Sequence, residues 1–251
     1  LDALHELIIS FADRPGKLHG LLHGRSPRTL LQVLGASRQL GVLMRSRPEL
    51  VEAAAVDSLH SAGFDGEARR ATMLAAIDAH EEQLGAADSS DSSFRRLITD
   101  VPLAEATNRL RRNYYEQLAA IMAYDVSHDD PIAIQPAVSR ALSDLADAAL
   151  ESALAIAQSN TEESELLRFT IIGMGKLGAQ ELNYVSDVDL IYVVEPMAET
   201  MSQPQLVKVG SKIAMLMQKI CQSVMPNVME PALWQIDGAL RPEGKDGPLV
   251  R

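Results

Sequence analysis

Asp187 and Asp189 flank a single valine in NYVSDVDLIYVV, directly downstream of the glycine-rich run Gly173-Met174-Gly175-Lys176-Leu177-Gly178. Side chains alternate along a strand, so the two aspartates project from one face while Val188 and Leu190 project from the other. Carboxylates held side by side repel each other unless a cation stands between them. Oxygen ligands suit a hard divalent ion, Mg²⁺ or alternatively Mn²⁺, which is held by one or two carboxylates together with waters and substrate phosphates. Asp237, after the apolar run LWQI, offers a third carboxylate from a neighbouring strand. Three such groups can hold two ions about 4 Å apart, the arrangement that activates an attacking oxygen and stabilises a leaving one in phosphoryl transfer. All six histidines precede residue 161, so a zinc site in this half is not expected.

The glycines admit two readings. A turn without Cβ atoms lets backbone N–H groups approach phosphate oxygens, and Lys176 adds a point charge. The same residues also fit the G-x-G-x-x-G fingerprint of a dinucleotide-binding crossover, with Glu195 at the end of the next strand. That oxidoreductase reading is the weaker, because the helix after the glycines can run only from about Lys176 to Asn183 before Ser186-Asp187 interrupts it. It also leaves two carboxylates at the start of the second strand without a task. An isolated Asp187 could equally be a turn residue after Ser186; the combination with Asp189, Asp237 and the glycine turn favours the metal reading.

These residues need elements to hold them. From Leu4 to about Gln158 apolar residues recur at three- and four-residue spacing, which reads as helix almost throughout. Ser26-Pro27 opens one helix, Arg47-Pro48 restarts the chain after another, GAADSSDSS reads as a mobile loop between helices, and a further helix starts near Pro102. In that helix Arg109, Arg111 and Arg112 are either an anion-binding cluster or a solvated face beside partly buried Tyr114 and Tyr115. After the polar spacer SNTEESE the texture changes. Leu166–Ile172 and Val188–Val194 read as strands, Gln203–Val224 as a helix and Ala232–Ile236 as a short third strand. The expected fold is therefore α+β: a helical segment over residues 1–160 and a small mixed-sheet catalytic core over 161–251 with flanking helices.

The chain has 251 residues, with 23 Lys and Arg against 34 Asp and Glu, a formal charge of −11. That balance disfavours general adhesion to nucleic acid or to an anionic membrane. Cys221, the single cysteine, excludes an internal disulfide framework and a thiolate metal cluster; it reads as an apolar filler on a helix, and a reducing cytoplasm is the expected compartment. The apolar stretches 166–174 and 213–225 are too short or too interrupted to span a bilayer, and no signal peptide precedes them. A start at Leu1 and a stop at Arg251 read as the ends of a piece of a longer polypeptide.

Taken together, the glycine turn, Asp-x-Asp and a later strand Asp resemble the nucleotidyltransferase superfamily related to DNA polymerase β. Within it, GMGKLGAQELNYVSDVDLIYV, LLQVLGASRQLGVLMRSRPEL, SRALSDLADAALESAL and IDGALRPEGKDGPLVR are similar to the glutamine synthetase adenylyltransferase and adenylyl-removing enzymes. Ala179 departs from the family pattern where a further Gly is expected, and Gly238-Ala239 stand where a larger residue is common. The resemblance implies a magnesium-dependent enzyme of nitrogen regulation, with glutamine synthetase as protein substrate, a PII-type signal protein as partner, and inorganic phosphate and adenine nucleotides as small ligands. It implies that Asp187, Asp189 and Asp237 are catalytic metal ligands, Asp237 either as a shared ligand or as the group that orients the attacking oxygen, and that Gly173, Gly175, Lys176 and Ser186 cradle phosphates. Arg241 and Lys245 are further phosphate contacts or plain residues of a solvated loop. Such enzymes carry two related domains, one transferring AMP from ATP to a tyrosine and one removing it by phosphorolysis to give ADP. Asn183, where the adenylylating copy tends to have Gly, favours the adenylyl-removing one, with adenylylation as the alternative.

Overall fold

The structure, a computed structural model, describes residues 2–11, 27–54, 65–84, 94–199, 201–238 and 249–250. By packing, the chain forms two compact units: residues 1–66 with 114–145, and residues 67–113 with 146–251. The change of texture near residue 160 lies inside the second unit.

The first unit is helical. Helices α1 (Asp2–Ser10), α2 (Pro27–Ala36), α3 (Arg38–Ser46) and α4 (Pro48–Ala54) bury Leu7, Leu30, Val33, Leu40, Met44 and Leu50. The proline starts of α2 and α4 agree with the sequence expectation, since a first-turn position needs no N–H; Ser26 lies outside the described residues. At the start of α3 the Ser37 hydroxyl accepts the Leu40 N–H at 3.2 Å, the N-cap bond that satisfies a first-turn donor. Helix α5 (Gly66–Ala76) begins at the end of this segment.

Two long helices belong in part to each unit, α6 (Leu103–Ser127) and α7 (Pro131–Ser159). They are separated at His128-Asp129-Asp130, and Pro131 opens the second. The Asp130 carboxylate accepts the Ile132 and Ala133 N–H groups at 3.1 and 3.0 Å, capping α7.

The second unit departs from an all-helical reading before residue 160. His80–Gln83 (β1) and Arg95–Ile98 (β2) pair antiparallel, so GAADSSDSS connects two strands rather than two helices; the loop itself, residues 85–93, lies outside the described residues. The sequences HEEQ and RRLI lack apolar alternation. What holds them is charge: Arg95 reaches Glu81 and Arg96 reaches Glu82, each at 2.6 Å. Arg96 also donates to the Ser164 hydroxyl at 2.8 Å, and Thr99 bonds the Ile77 carbonyl and the Ser159 hydroxyl at 2.6 and 2.8 Å. These partners are distant in sequence, which is why periodicity alone missed the hairpin.

The main sheet has the order β3-β4-β5, with β3 at Leu167–Gly173, β4 at Val188–Pro196 and β5 at Ile236–Asp237. Strands β3 and β4 are antiparallel, whereas β4 and β5 are parallel, giving the mixed sheet expected for the α+β class. The antiparallel β3–β4 pair removes the dinucleotide-binding reading, because a Rossmann crossover joins parallel strands. Strand β5 is shorter than the expected Ala232–Ile236. The Leu233 N–H instead bonds the Cys221 carbonyl at 2.8 Å, so that approach is tied to the end of a helix rather than to the sheet.

That helix, α9 (Gln203–Gln222), follows a one-turn helix α8 (Gly175–Gly178). It buries Leu206, Val209, Ile213, Met217, Ile220 and Cys221, the three- and four-residue stripe read from sequence. Burial pushes the Cys221 thiol up to about 12, as suits an apolar filler.

The C-terminal carbonyls of α9 meet Arg111. Its side chain is 1 % exposed, and its guanidinium donates to the carbonyls of Lys219, Ile220, Ser223 and Glu230 at 2.7–3.3 Å. A cation with planar donors at a helix C-terminus meets both the orphan carbonyls and the negative end of the dipole. Arg109 pairs with Asp78 and Glu105, and Arg112 with Glu230. Arg109 and Arg112 thus fit the solvated-face reading, with ion pairs, whereas Arg111 is a buried structural contact that neither reading describes. Tyr114 and Tyr115 are buried, edge to face, in the first unit.

Among the described residues no helix is long and apolar enough to cross a membrane.

Candidate functional site

The glycine turn leads from the end of β3 to α8. Helix α8 is a single turn and not the longer helix expected to about Asn183, because it closes at once. Gln180 takes a left-handed φ of 57°. The Gln180 N–H then bonds the Leu177 carbonyl at 3.0 Å, and the Glu181 N–H the Lys176 carbonyl at 2.8 Å. This is the paired pattern of a Schellman C-cap. Ala179, the departure from the family pattern, has an ordinary φ of −83° that suits any L-residue.

Two glycines are required by their surroundings. Gly175 has φ +52°, and a Cβ there would strike the Asp189 carboxylate. A Cβ on Gly178 would lie 2.5 Å from the Gly173 carbonyl oxygen. The turn is stitched to the aspartate strand by its backbone, the Met174 N–H donating to the Asp189 carbonyl at 2.8 Å. Gly175→Ala is expected to cost about 1–2 kcal/mol from the left-handed backbone alone, lowering the thermal midpoint by roughly 2–8 °C. Gly35→Ala, in α2 where nothing lies within 4 Å of the added methyl, serves as the control and should raise it. A Gly175 variant that melts with the parent would contradict the close approach to Asp189.

Asn183 organises the next segment. Its side-chain oxygen accepts the Val185 N–H at 3.0 Å and its carbonyl accepts the Ser186 N–H at 3.3 Å, an Asx-type turn that presents Ser186 and Asp187. Lys176 Nζ donates to the Ser186 hydroxyl at 3.3 Å, so two expected phosphate-binding side chains meet beside the turn. Asp187 is exposed and Asp189 half-buried while Val188 and Leu190 are buried, the alternation inferred from sequence.

On the far side of β4, Val188 is in register with Ile236 and Asp189 with Asp237. Register partners on neighbouring strands share a face, so Asp189 and Asp237 stand side by side. Gly173, Gly175, Lys176, Ser186, Asp187, Asp189 and Asp237 thereby gather at one corner of the sheet. Arg241 and Lys245 lie outside the described residues.

The donor set is carboxylate and hydroxyl oxygen, the chemistry that Mg²⁺ or Mn²⁺ takes. Among the described residues no three Asp, Glu, His or Cys side chains already form a ready-made metal cage. The corner is an array of carboxylates along two strand ends, the open kind of site that a hard ion completes with waters and substrate phosphates. The Asp189 carboxylate, in the space that the missing Gly175 Cβ leaves, fits such a role. A cleft of about 300 Å³ backs onto the turn, lined by Leu150, Leu154, Phe169, Ile171 and Leu177 and by Gly173. Asp187, Asp189 and Asp237 are not among its lining residues.

Sequence reasoning missed the residues that seat β5. The Gln222 side-chain oxygen accepts the Ile236 N–H at 2.7 Å, and Gln218 Nε2 donates to the Tyr192 hydroxyl at 3.2 Å. Two glutamines four residues apart near the end of an amphipathic helix were the available signal. The Tyr192 hydroxyl is held above its ordinary pKa by burial, so it stands protonated.

The family model described as "Glutamate-ammonia ligase adenylyltransferase" matches residues 28–251. A Bifidobacterium longum subsp. infantis protein named "Bifunctional glutamine synthetase adenylyltransferase/adenylyl-removing enzyme" is 57 % identical over 224 residues, covering 89 % of this chain and 20 % of that protein. Proteins of the same name from Cutibacterium acnes and Streptomyces coelicolor are 36 % and 33 % identical, covering 100 % and 92 % of this chain and 24 % and 25 % of their own length. The chain thus spans between a fifth and a quarter of these curated relatives. With the family model matching residues 28–251 and a relative 57 % identical over 89 % of this chain, the chain belongs to the glutamate-ammonia ligase adenylyltransferase family.

Proposed function

We propose that this chain is a nucleotidyltransferase unit that removes AMP from an adenylylated tyrosine of glutamine synthetase by phosphorolysis, releasing ADP. The observation that carries the reading is the register of Asp189 with Asp237 beside the Gly175 turn. Asp187, Asp189 and Asp237 would hold Mg²⁺, or Mn²⁺ in its place. The ion, when bound, would supply positive charge at the phosphate oxygens and help to stabilise the leaving oxygen. The chain's own groups do the rest. Lys176 and Ser186, already hydrogen-bonded to each other, offer donors to phosphate oxygens. The Gly175 backbone, without a Cβ, lets a phosphate come close to the Asp189 carboxylate.

An oxygen of inorganic phosphate attacks the α-phosphorus of the adenylyl-tyrosine. The bond from that phosphorus to the tyrosine oxygen breaks, the tyrosine oxygen takes up the proton that the attacking hydrogen phosphate gives up, and the new phosphoanhydride is that of ADP. Positioning and electrostatics suffice for such a transfer, with no covalent enzyme intermediate. A PII-type protein as regulatory partner and a cytoplasmic setting accompany the proposal. Asn183, which stands where the adenylylating copy of the family tends to have Gly, is the ground for reading removal rather than addition of AMP.

The test incubates the chain with adenylylated glutamine synthetase, Mg²⁺ and phosphate. Phosphate-dependent appearance of ADP is the expected result. Incorporation of AMP from ATP into unmodified synthetase, with no ADP formed in the first assay, would assign the opposite direction.

A further inference from the structure

We propose that Gln222 is a positioning residue for the carboxylate corner, acting by fixing β5 and therefore Asp237 opposite Asp189. The inference rests on the reading of Asp237 as a metal ligand. Strand β5 is only two residues long, Ile236 and Asp237, and its sheet neighbour is β4. A ladder that short holds its register weakly: the Val188 N–H donates to the Gln235 carbonyl at 3.0 Å, and further back the Leu233 N–H is tied to the Cys221 carbonyl rather than to the sheet. The Gln222 side-chain oxygen adds a restraint from the helix at the first residue of the strand. It accepts the Ile236 N–H at 2.7 Å, and since a backbone N–H can only donate, the amide must present its oxygen here.

Gln222 is itself firmly placed. It is the last residue of α9, and Arg111 grips the carbonyls of Lys219, Ile220 and Ser223 around it. One turn earlier Gln218 bonds Tyr192 on β4 and would meet a Cβ on Gly238 at 3.0 Å, closing the other side of β5. The end of α9 therefore spans β4 and β5. Outer partners that orient metal ligands typically contribute about 10–100-fold in metal affinity or activity, and Gln222 acts through one backbone bond, so the lower end applies.

Two variants separate positioning from bulk. Gln222→Met keeps length and helix propensity but has no comparable acceptor, whereas Gln222→Glu keeps an oxygen at the same reach. Mn²⁺ binding to the full chain, read by electron paramagnetic resonance, is expected to weaken about tenfold in the Met variant and to stay within a few-fold of the parent in the Glu variant. Circular dichroism should show both folded, and the KM for adenylylated synthetase should hold while the Mn²⁺ concentration for half-maximal activity rises. Equal Mn²⁺ affinity in the parent and a folded Gln222→Met, or equal loss in both variants, would overturn the inference. Failure of the parent chain to bind Mn²⁺ would overturn the metal reading and the inference with it.

Discussion

Asp189→Asn is expected to abolish AMP removal, by about 10³-fold or more, while leaving the fold intact. The substitution preserves shape and removes one charge from the corner where β4 meets β5 in register. If the carboxylate contributes through a bound ion, its removal costs several kcal/mol of transition-state stabilisation, and about 4 kcal/mol corresponds to that factor. Asp187→Asn should behave similarly. A merely structural Asp189 makes a different forecast, loss of activity through unfolding, which the metal reading does not expect. Its side chain is half-buried, and its neighbours include Asp237 in register and Asp187 on the same face, so neutralising it relieves repulsion.

The decisive pair of measurements is thermal. In the metal-free state the Asn variant should melt at or slightly above the parent. With Mn²⁺ added, the parent midpoint should rise as an ion binds the folded state, and the variant midpoint should not. A variant that keeps metal-dependent AMP removal would sink the assignment of Asp189. One that loses activity only by unfolding would demote it to a structural residue.

How much of this was legible in the sequence depends on how local the interactions are. The Asp187/Asp189 alternation, β3, β4 and α9 were readable because each is encoded by neighbours two to four residues apart. The β1–β2 hairpin was not, because Glu81, Glu82, Arg95 and Arg96 look like a solvated helix until cross-strand pairing brings them together. The length of α8 was misjudged for a similar reason. Its stop is Gln180 in a left-handed conformation usually filled by glycine. Asp237 was correctly placed on a strand, yet the strand proved to be two residues held by Gln222. The arginine triplet was ambiguous as sequence and became clear only when α9 ended against it.

Arg111→Met is expected to be the most destabilising single change in the second unit. Methionine can fill much of the space, but the carbonyls of Lys219, Ile220, Ser223 and Glu230 would face it without their shared donor. Losing a buried charged partner typically costs about 3–5 kcal/mol, and orphaned acceptors account for much of that. Against a total of roughly 5–15 kcal/mol, the thermal midpoint should fall by about 6–20 °C. Arg111→Lys should recover only part of it, because one ammonium cannot span four carbonyls fixed around a planar fork. Arg109→Ala is the control: that side chain is exposed and among the described residues its ion pairs are with exposed Asp78 and Glu105, and its loss should leave the midpoint nearly unchanged. Equal melting of the Met and Ala variants would contradict the burial of Arg111. Because the end of α9 that Arg111 grips also carries Gln222, the folded fraction of Arg111→Met should bind Mn²⁺ more weakly than the parent. It would thus combine a lowered midpoint with a weakened site, whereas Asp189→Asn loses the site and keeps the fold.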